Sequence, residues 1–194
     1  DGRVLTAAGL PLCANETWFP PTTMVCITNP GVGANLDVLL HQGNQNTGAS
    51  GHGMFTYREP VIASSMLVSP IANEMGGDVV VVLGGEFGDS PERAPYATVH
   101  GTPCDPTVWV SDTQLNCTTP PGLGENLNLT VIAGGHASNS VTFNYARPTV
   151  EEGVINSTSG GTVVVTGTHF GDGGDHWSIS VNLPLTGVLE SASP

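Results

Sequence analysis

The stretch CDPTVWVSDTQLNCTTPPGLGENLNLTV, from Cys104 to Val131, decides the fold, because its grammar occurs twice. The earlier copy is CANETWFPPTTMVCITNPGVGANLDV, from Cys13 to Val38. In each, a Trp stands five residues after the first Cys (Trp18, Trp109) and the second Cys stands thirteen after it (Cys26, Cys117). PGxGxNL then begins four residues further on, at Pro30 and Pro121. Beyond that, MFTYREPVI around Phe55 matches TFNYARPTV around Phe143, each with Phe-x-Tyr and a Pro five residues past the Phe (Pro60, Pro148). Ordered self-similarity of this kind is the signature of a repeated structural unit.

A second pair of segments repeats as well. GGDVVVVLGGEFGD from Gly76 matches GGTVVVTGTHFGD from Gly160. These segments open a unit, whereas the Cys-Trp-Cys segments close one. The chain therefore reads as a closing half (residues 1–60), a whole unit (61–148) and an opening half (149–194). Residue parity identifies the elements. Leu127, Leu129 and Val131 alternate with Asn126, Asn128 and Thr130, and Val141, Phe143 and Tyr145 alternate with Ser140, Thr142 and Asn144. A period of two buries one face of a strand and wets the other. No window carries a helical apolar period, so almost no helix is expected. Short strands between Gly/Pro turns favour a β-sandwich.

The order GG-x-Val-Val-Val, Gly-x-x-Phe-Gly, Cys…Trp…Cys-x-x-x-Pro-Gly, Phe-x-Tyr and Pro resembles the IPT/TIG domain, an Ig-like family found in plexins and other cell-surface repeat proteins. The resemblance covers nearly the whole chain in offset register. It implies an all-β chain of tandem Ig-like sandwiches, with one complete domain flanked by two complementary half-domains. One departure stands out: no Cys follows Phe170, although one follows Phe87 by seventeen residues, at Cys104. A half sandwich cannot bury its strands alone, and its open edges invite pairing. The halves are thus expected to be completed by the next repeat or by another copy. Joined end to end, the termini read PLTGVLESASP-DGRVLTAAGLPLC, which places a Ser-Pro-Asp-Gly turn between two short apolar runs and supplies Cys13.

Composition bounds the function. The net charge is −13, with four Arg and no Lys, so no cationic face for nucleic acid or anionic lipid can be assembled. The longest valine run, residues 78–84, has strand length and falls far short of a membrane span. No targeting segment opens the chain at Asp1, so secretion would draw on one outside these residues. The four Cys fall into two pairs of identical spacing, which predicts the disulfides Cys13–Cys26 and Cys104–Cys117 and hence an oxidising, extracellular compartment. Zinc is the alternative, but CxxC spacing and suitably placed His are absent.

Four sequons begin at Asn15, Asn116, Asn128 and Asn156, and most are expected to carry N-linked glycans. Asn128 lies on the polar parity of its strand, and Asn116 lies opposite Cys117. Trp18 and Trp109, at a fixed distance from a disulfide, are expected in the core, while Trp177 has no counterpart and suggests a contact surface. The acidic loop GDGGDH, with His169, Asp172, Asp175 and His176, lacks the ligand order of a calcium loop and reads as a solvated turn. GxSxG, HExxH and P-loop patterns are absent, and the PGxG loops precede strands rather than helices, so they lack an anion-binding helix N-terminus. No enzyme, metal or cofactor is expected.

The leading expectation is a structural repeat of a glycosylated extracellular filament or stalk, with copies of itself in a head-to-tail polymer as the main partners and other cell-surface or matrix proteins as secondary ones. The alternative is a spacer or binding module of a receptor or adhesin ectodomain, with a partner surface near Met24, Trp177 or residues 79–83. An intracellular transcription-factor module is disfavoured by the missing basic loop and the paired Cys.

Overall fold

The computed structural model describes residues 2–5, 12–42, 45–46, 52–68, 72–153 and 164–171. These form an all-β structure with no α-helix among the described residues; a 3-10 turn covers Pro91–Arg93.

The core lies between Ile62 and Tyr145. One layer is a four-stranded sheet in the order β10 (Thr107–Ser111), β11 (Gln114–Thr118), β7 (Val79–Gly85), β6 (Val61–Leu67). The other contains β8 (Tyr96–Val99), β9 (Thr102–Pro103), β12 (Leu127–Ala133), β13 (His136–Ala137) and β14 (Val141–Phe143), with β12 pairing β8, β13 and β14. Strand alternation sends Val80, Val82, Leu115 and Cys117 inward from the first layer, against Ala97, Val99, Leu129, Val131 and Phe143 from the second. Phe87, Val82, Leu115, Leu129 and Val131 are each 0% exposed. Complete removal of branched side chains from water is the main stabilising contribution to such a sandwich.

Before this sandwich, β1 (Gly2–Leu5) pairs with β4 (Leu39–Gln42), which pairs with β5 (Gln45–Asn46), and β2 (Cys13–Phe19) forms a hairpin with β3 (Thr23–Thr28). After it, β15 (Thr149–Gly153) pairs with β16 (Val165–Thr168).

The matched sequences adopt matched geometry. Trp18 pairs with Met24, and Trp109 pairs with Leu115. Thr17 pairs with Val25, as Val108 pairs with Asn116. After each hairpin the PGxGxNL turn carries its Asn in the left-handed region, Asn35 at φ 49° and Asn126 at φ 56°, which Asn tolerates better than most residues. The Tyr57 hydroxyl donates to the Asn29 carbonyl at 2.8 Å, and the Tyr145 hydroxyl donates to the Pro120 carbonyl at 2.6 Å. Each ring fills the space where a side chain at the adjacent turn glycine would sit: a Cβ on Gly31 or on Gly122 would lie 2.7 Å from the tyrosine ring. Phe55 and Phe143 meet those tyrosines edge to face, at ring separations of 4.8 and 5.1 Å.

The opening segments correspond as closely. Strand β6 bulges between Ile62 and Ser64, and β15 bulges between Val150 and Glu152. A Cβ at Gly84 would strike the Val61 carbonyl and the Phe87 ring; one at Gly167 would strike the Thr149 carbonyl and the Phe170 ring. Glycine is therefore required at both bulges by close backbone approach.

One expectation needs correcting. Trp109 packs against the core, but Trp18 is 61% exposed. The hairpin β2–β3 forms a two-stranded sheet, and no second layer covers its Trp18 face among the described residues. Sequence position beside a disulfide sets the direction of the ring, but burial needs an opposing sheet.

Candidate functional site

Both disulfides form as the spacing predicts, Cys13 with Cys26 and Cys104 with Cys117, and no cysteine is free. Cys117 lies on the inner face of β11 and Cys104 follows β9, so this bond staples the two layers of the sandwich. Cys104 is 5% exposed and Cys117 0%. A loop of this size contributes about 3 kcal/mol by restricting the unfolded chain.

The sequons fall on different surfaces. Asn15 is exposed on β2. Asn128 is exposed on the outer face of β12. Asn116 is half-buried on the outer face of β11, where its Oδ1 accepts a hydrogen bond from Gln114 Nε2 at 3.2 Å. Asn156, Trp177 and residues 172–176 lie outside the described residues.

Charged groups occur as local pairs. Arg93 donates to Asp89 at 2.8 Å, which holds the Asp89 carboxyl below its usual range and raises the guanidinium. In this loop, GDSPER at residues 88–93, which aligns with GDGGDH, the pair leaves Glu92 as the remaining charge. Arg147 pairs with Glu125 through two nitrogens. At Asp37, the Gly53 amide hydrogen bond is the largest cause of a lowered carboxyl, with His52 adding to it. Burial pushes both Tyr145 and Tyr57 upward, consistent with their role as neutral hydroxyl donors.

Among the described residues, three ion-pair contacts link the central sandwich to its neighbouring segments. His169 contacts Glu74 at 2.7 Å, and this hydrogen bond is the main cause of the lowered Glu74 carboxyl. Arg58 approaches Glu86 at 3.8 Å and Glu59 approaches His136 at 3.7 Å. Glu86 and His169 are aligned in the two opening segments and share a left-handed backbone, at φ 62° and 60°. Sequence reading missed these contacts, because the partners in the closest of them are 95 positions apart.

A shallow recess is lined by Leu123, Gly124, Glu125, Tyr145, Arg147 and Pro148. Its two charges pair with each other, and its tyrosine is committed to Pro120. No group of three or more His, Cys, Asp or Glu is placed to hold a metal ion among the described residues. Nor is any helix there long and apolar enough to cross a membrane.

The arrangement is therefore one of staples, sequons and segment contacts around a sandwich. No curated protein matches the chain. The IPT/TIG domain family matches residues 63–145, the same span as the buried core. Domains of this family are Ig-like modules of receptors and transcription factors and are generally non-catalytic binding modules; two disulfides are compatible with an extracellular location. The central sandwich is thus similar to an IPT/TIG domain over residues 63–145.

Proposed function

We propose that the chain is a structural repeat of a glycosylated extracellular filament or stalk, in which IPT/TIG-like units follow one another end to end. The observation that carries this reading is the recurrence of local geometry: the hairpin register, the tyrosine-to-carbonyl bond over a turn glycine and the bulge against a second glycine each occur twice. Contacts such as Glu74 with His169 supply polar joints between consecutive segments. The partners are copies of the same chain and, secondarily, other cell-surface or matrix proteins. N-linked glycans at Asn15, Asn116, Asn128 and Asn156, together with an acidic surface, would keep such a polymer soluble.

The reading is tested by negative-stain microscopy and intact-mass measurement of the native material. Elongated particles with a regular axial repeat are expected; short, monodisperse particles would sink it. A mass far above 19.9 kDa plus glycans means covalently continuous repeats, and a mass near that value in a fibre means completion between copies. The second reading, a spacer or binding module of a receptor or adhesin ectodomain, is favoured by the occurrence of the family in receptors.

A further inference from the structure

The outer face of the sheet β10–β11–β7–β6 carries aliphatic side chains on β10, β7 and β6, on either side of the uncharged polar Gln114, Asn116 and Thr118 of β11. Register places Val108, Asn116, Val81 and Met66 in one row straight across it. Val79 and Leu83 flank Val81 on the same side of β7, as period two requires. Met66 is 61% exposed, Val108 49% and Leu83 37%. The four strands contain no Asp, Glu, Lys or Arg, in a chain whose net charge is −13. An uncharged face with this many exposed aliphatic side chains associates with something or is covered.

What covers it is written at its centre. Asn116 begins the sequon Asn116-Cys117-Thr118. Cys117 is 0% exposed and faces the core, so alternation turns Asn116 to the outer face. Gln114 engages the amide oxygen of Asn116, whereas a glycan is carried by the amide nitrogen. The outer face of the other sheet offers a contrast. There Asn128 neighbours Thr142, and the half-buried Thr130 meets the buried Thr98 hydroxyl at 2.8 Å, so threonines rather than aliphatic side chains lie beside its sequon.

We propose that an N-linked glycan on Asn116 lies over this apolar face and shields it from association, a role the Asn128 glycan does not share. This rests on reading the chain as a secreted glycoprotein. In forming the link, Asn116 Nδ2 bonds to the anomeric carbon of a lipid diphosphate-linked oligosaccharide. The bond from that carbon to the diphosphate oxygen breaks, the lipid diphosphate leaves, and the amide gives up one proton. Pyranose rings present C–H faces that pack on valine and methionine, while their hydroxyls face water, so an aliphatic surface without charges suits them.

The test uses the whole chain secreted from a glycosylating eukaryotic host. Glycopeptide mass spectrometry should find Asn116 occupied. Asn116→Gln should raise the fluorescence of a hydrophobic dye several-fold and shift sedimentation toward dimers or larger species, whereas Asn128→Gln should leave both at the parental level. If Asn116→Gln fails to fold, trimming the glycans of the folded protein to single N-acetylglucosamines should produce the same two changes, in the Asn128→Gln background as well. An occupied Asn116 whose removal or trimming changes neither readout overturns the inference, as does an equal response in Asn128→Gln. An empty Asn116 beside an occupied Asn15 or Asn128 overturns it alone. Absence of glycan at every sequon overturns it together with the glycoprotein reading.

Discussion

The hairpins β2–β3 and β10–β11 share register, disulfide spacing and the turn that follows, yet they differ in burial. Leu115 is 0% exposed where the matching Met24 is half-buried, and Trp109 packs against a core that Trp18 does not reach. The same local instructions thus produce the same local shape in both places. Among the described residues, only the second hairpin has a facing sheet, and that is where its stability resides.

The largest test of this contrast removes the buried leucine. Leu115→Ala should cost about 4 kcal/mol, the range for a fully buried leucine in a core that cannot collapse around the loss. Met24→Ala should cost about 1 kcal/mol or less, because a half-exposed side chain surrenders little area. Urea unfolding followed by circular dichroism, with hydrogen exchange to assign each hairpin, measures both. Equal costs would mean that β2–β3 is covered as fully as β10–β11.

Next in size is the disulfide. Replacing Cys104 and Cys117 by Ala should lower the stability of the sandwich by about 3 kcal/mol, since the bond restrains the unfolded chain of the cooperative unit. Replacing Cys13 and Cys26 should leave the main transition almost unmoved and instead abolish exchange protection in β2 and β3. A large shift of the main transition would show that the first hairpin belongs to the same cooperative unit.

Smaller still is the loss of a tyrosine hydroxyl. Tyr145→Phe strands the Pro120 carbonyl in a buried site and should cost about 1.5 kcal/mol. Tyr57→Phe should cost about half as much, because the partly buried Asn29 carbonyl can turn to water. A thermal-unfolding comparison of the two variants ranks them.

The smallest effect concerns the joint between Glu74 and His169. The Glu74 carboxyl is held below its ordinary value, so its contribution is complete at pH values above the usual glutamate range. It is lost as pH falls through the lowered value and the carboxylate takes up a proton. Exchange protection of residues 164–171 should therefore drop on acidification in the parent chain. In Glu74→Gln it should already be low at neutral pH and should not follow that carboxylate titration.

Much of the fold was legible because it is written at short range. Alternation in residues 127–131 and 141–145 sent Leu129, Val131, Phe143 and Tyr145 inward. The shared Cys spacing announced both disulfides. The parity argument placed Asn128 outward and Asn116 opposite the buried Cys117. Less legible were features that depend on distant partners. Trp18 stands at the same distance from its disulfide as Trp109, and among the described residues only Trp109 has a second layer to pack against. The apolar row through Asn116 joins four strands, three of which had to be brought into register before Val108, Val81 and Met66 became one surface.

By itself, the sequence determined the strand character, the disulfide pairs, the turn geometry and the side of each strand that faces inward. These follow from spacing of two, from fixed intervals between cysteines and from residues suited to left-handed turns, all of which act over a few positions. Tertiary structure alone decided which of two like hairpins is buried, which apolar residues gather on one outer face and which carboxylate meets His169. Burial, patches and long-range pairs depend on surfaces supplied by elements far away along the chain, and no local pattern specifies what will lie opposite.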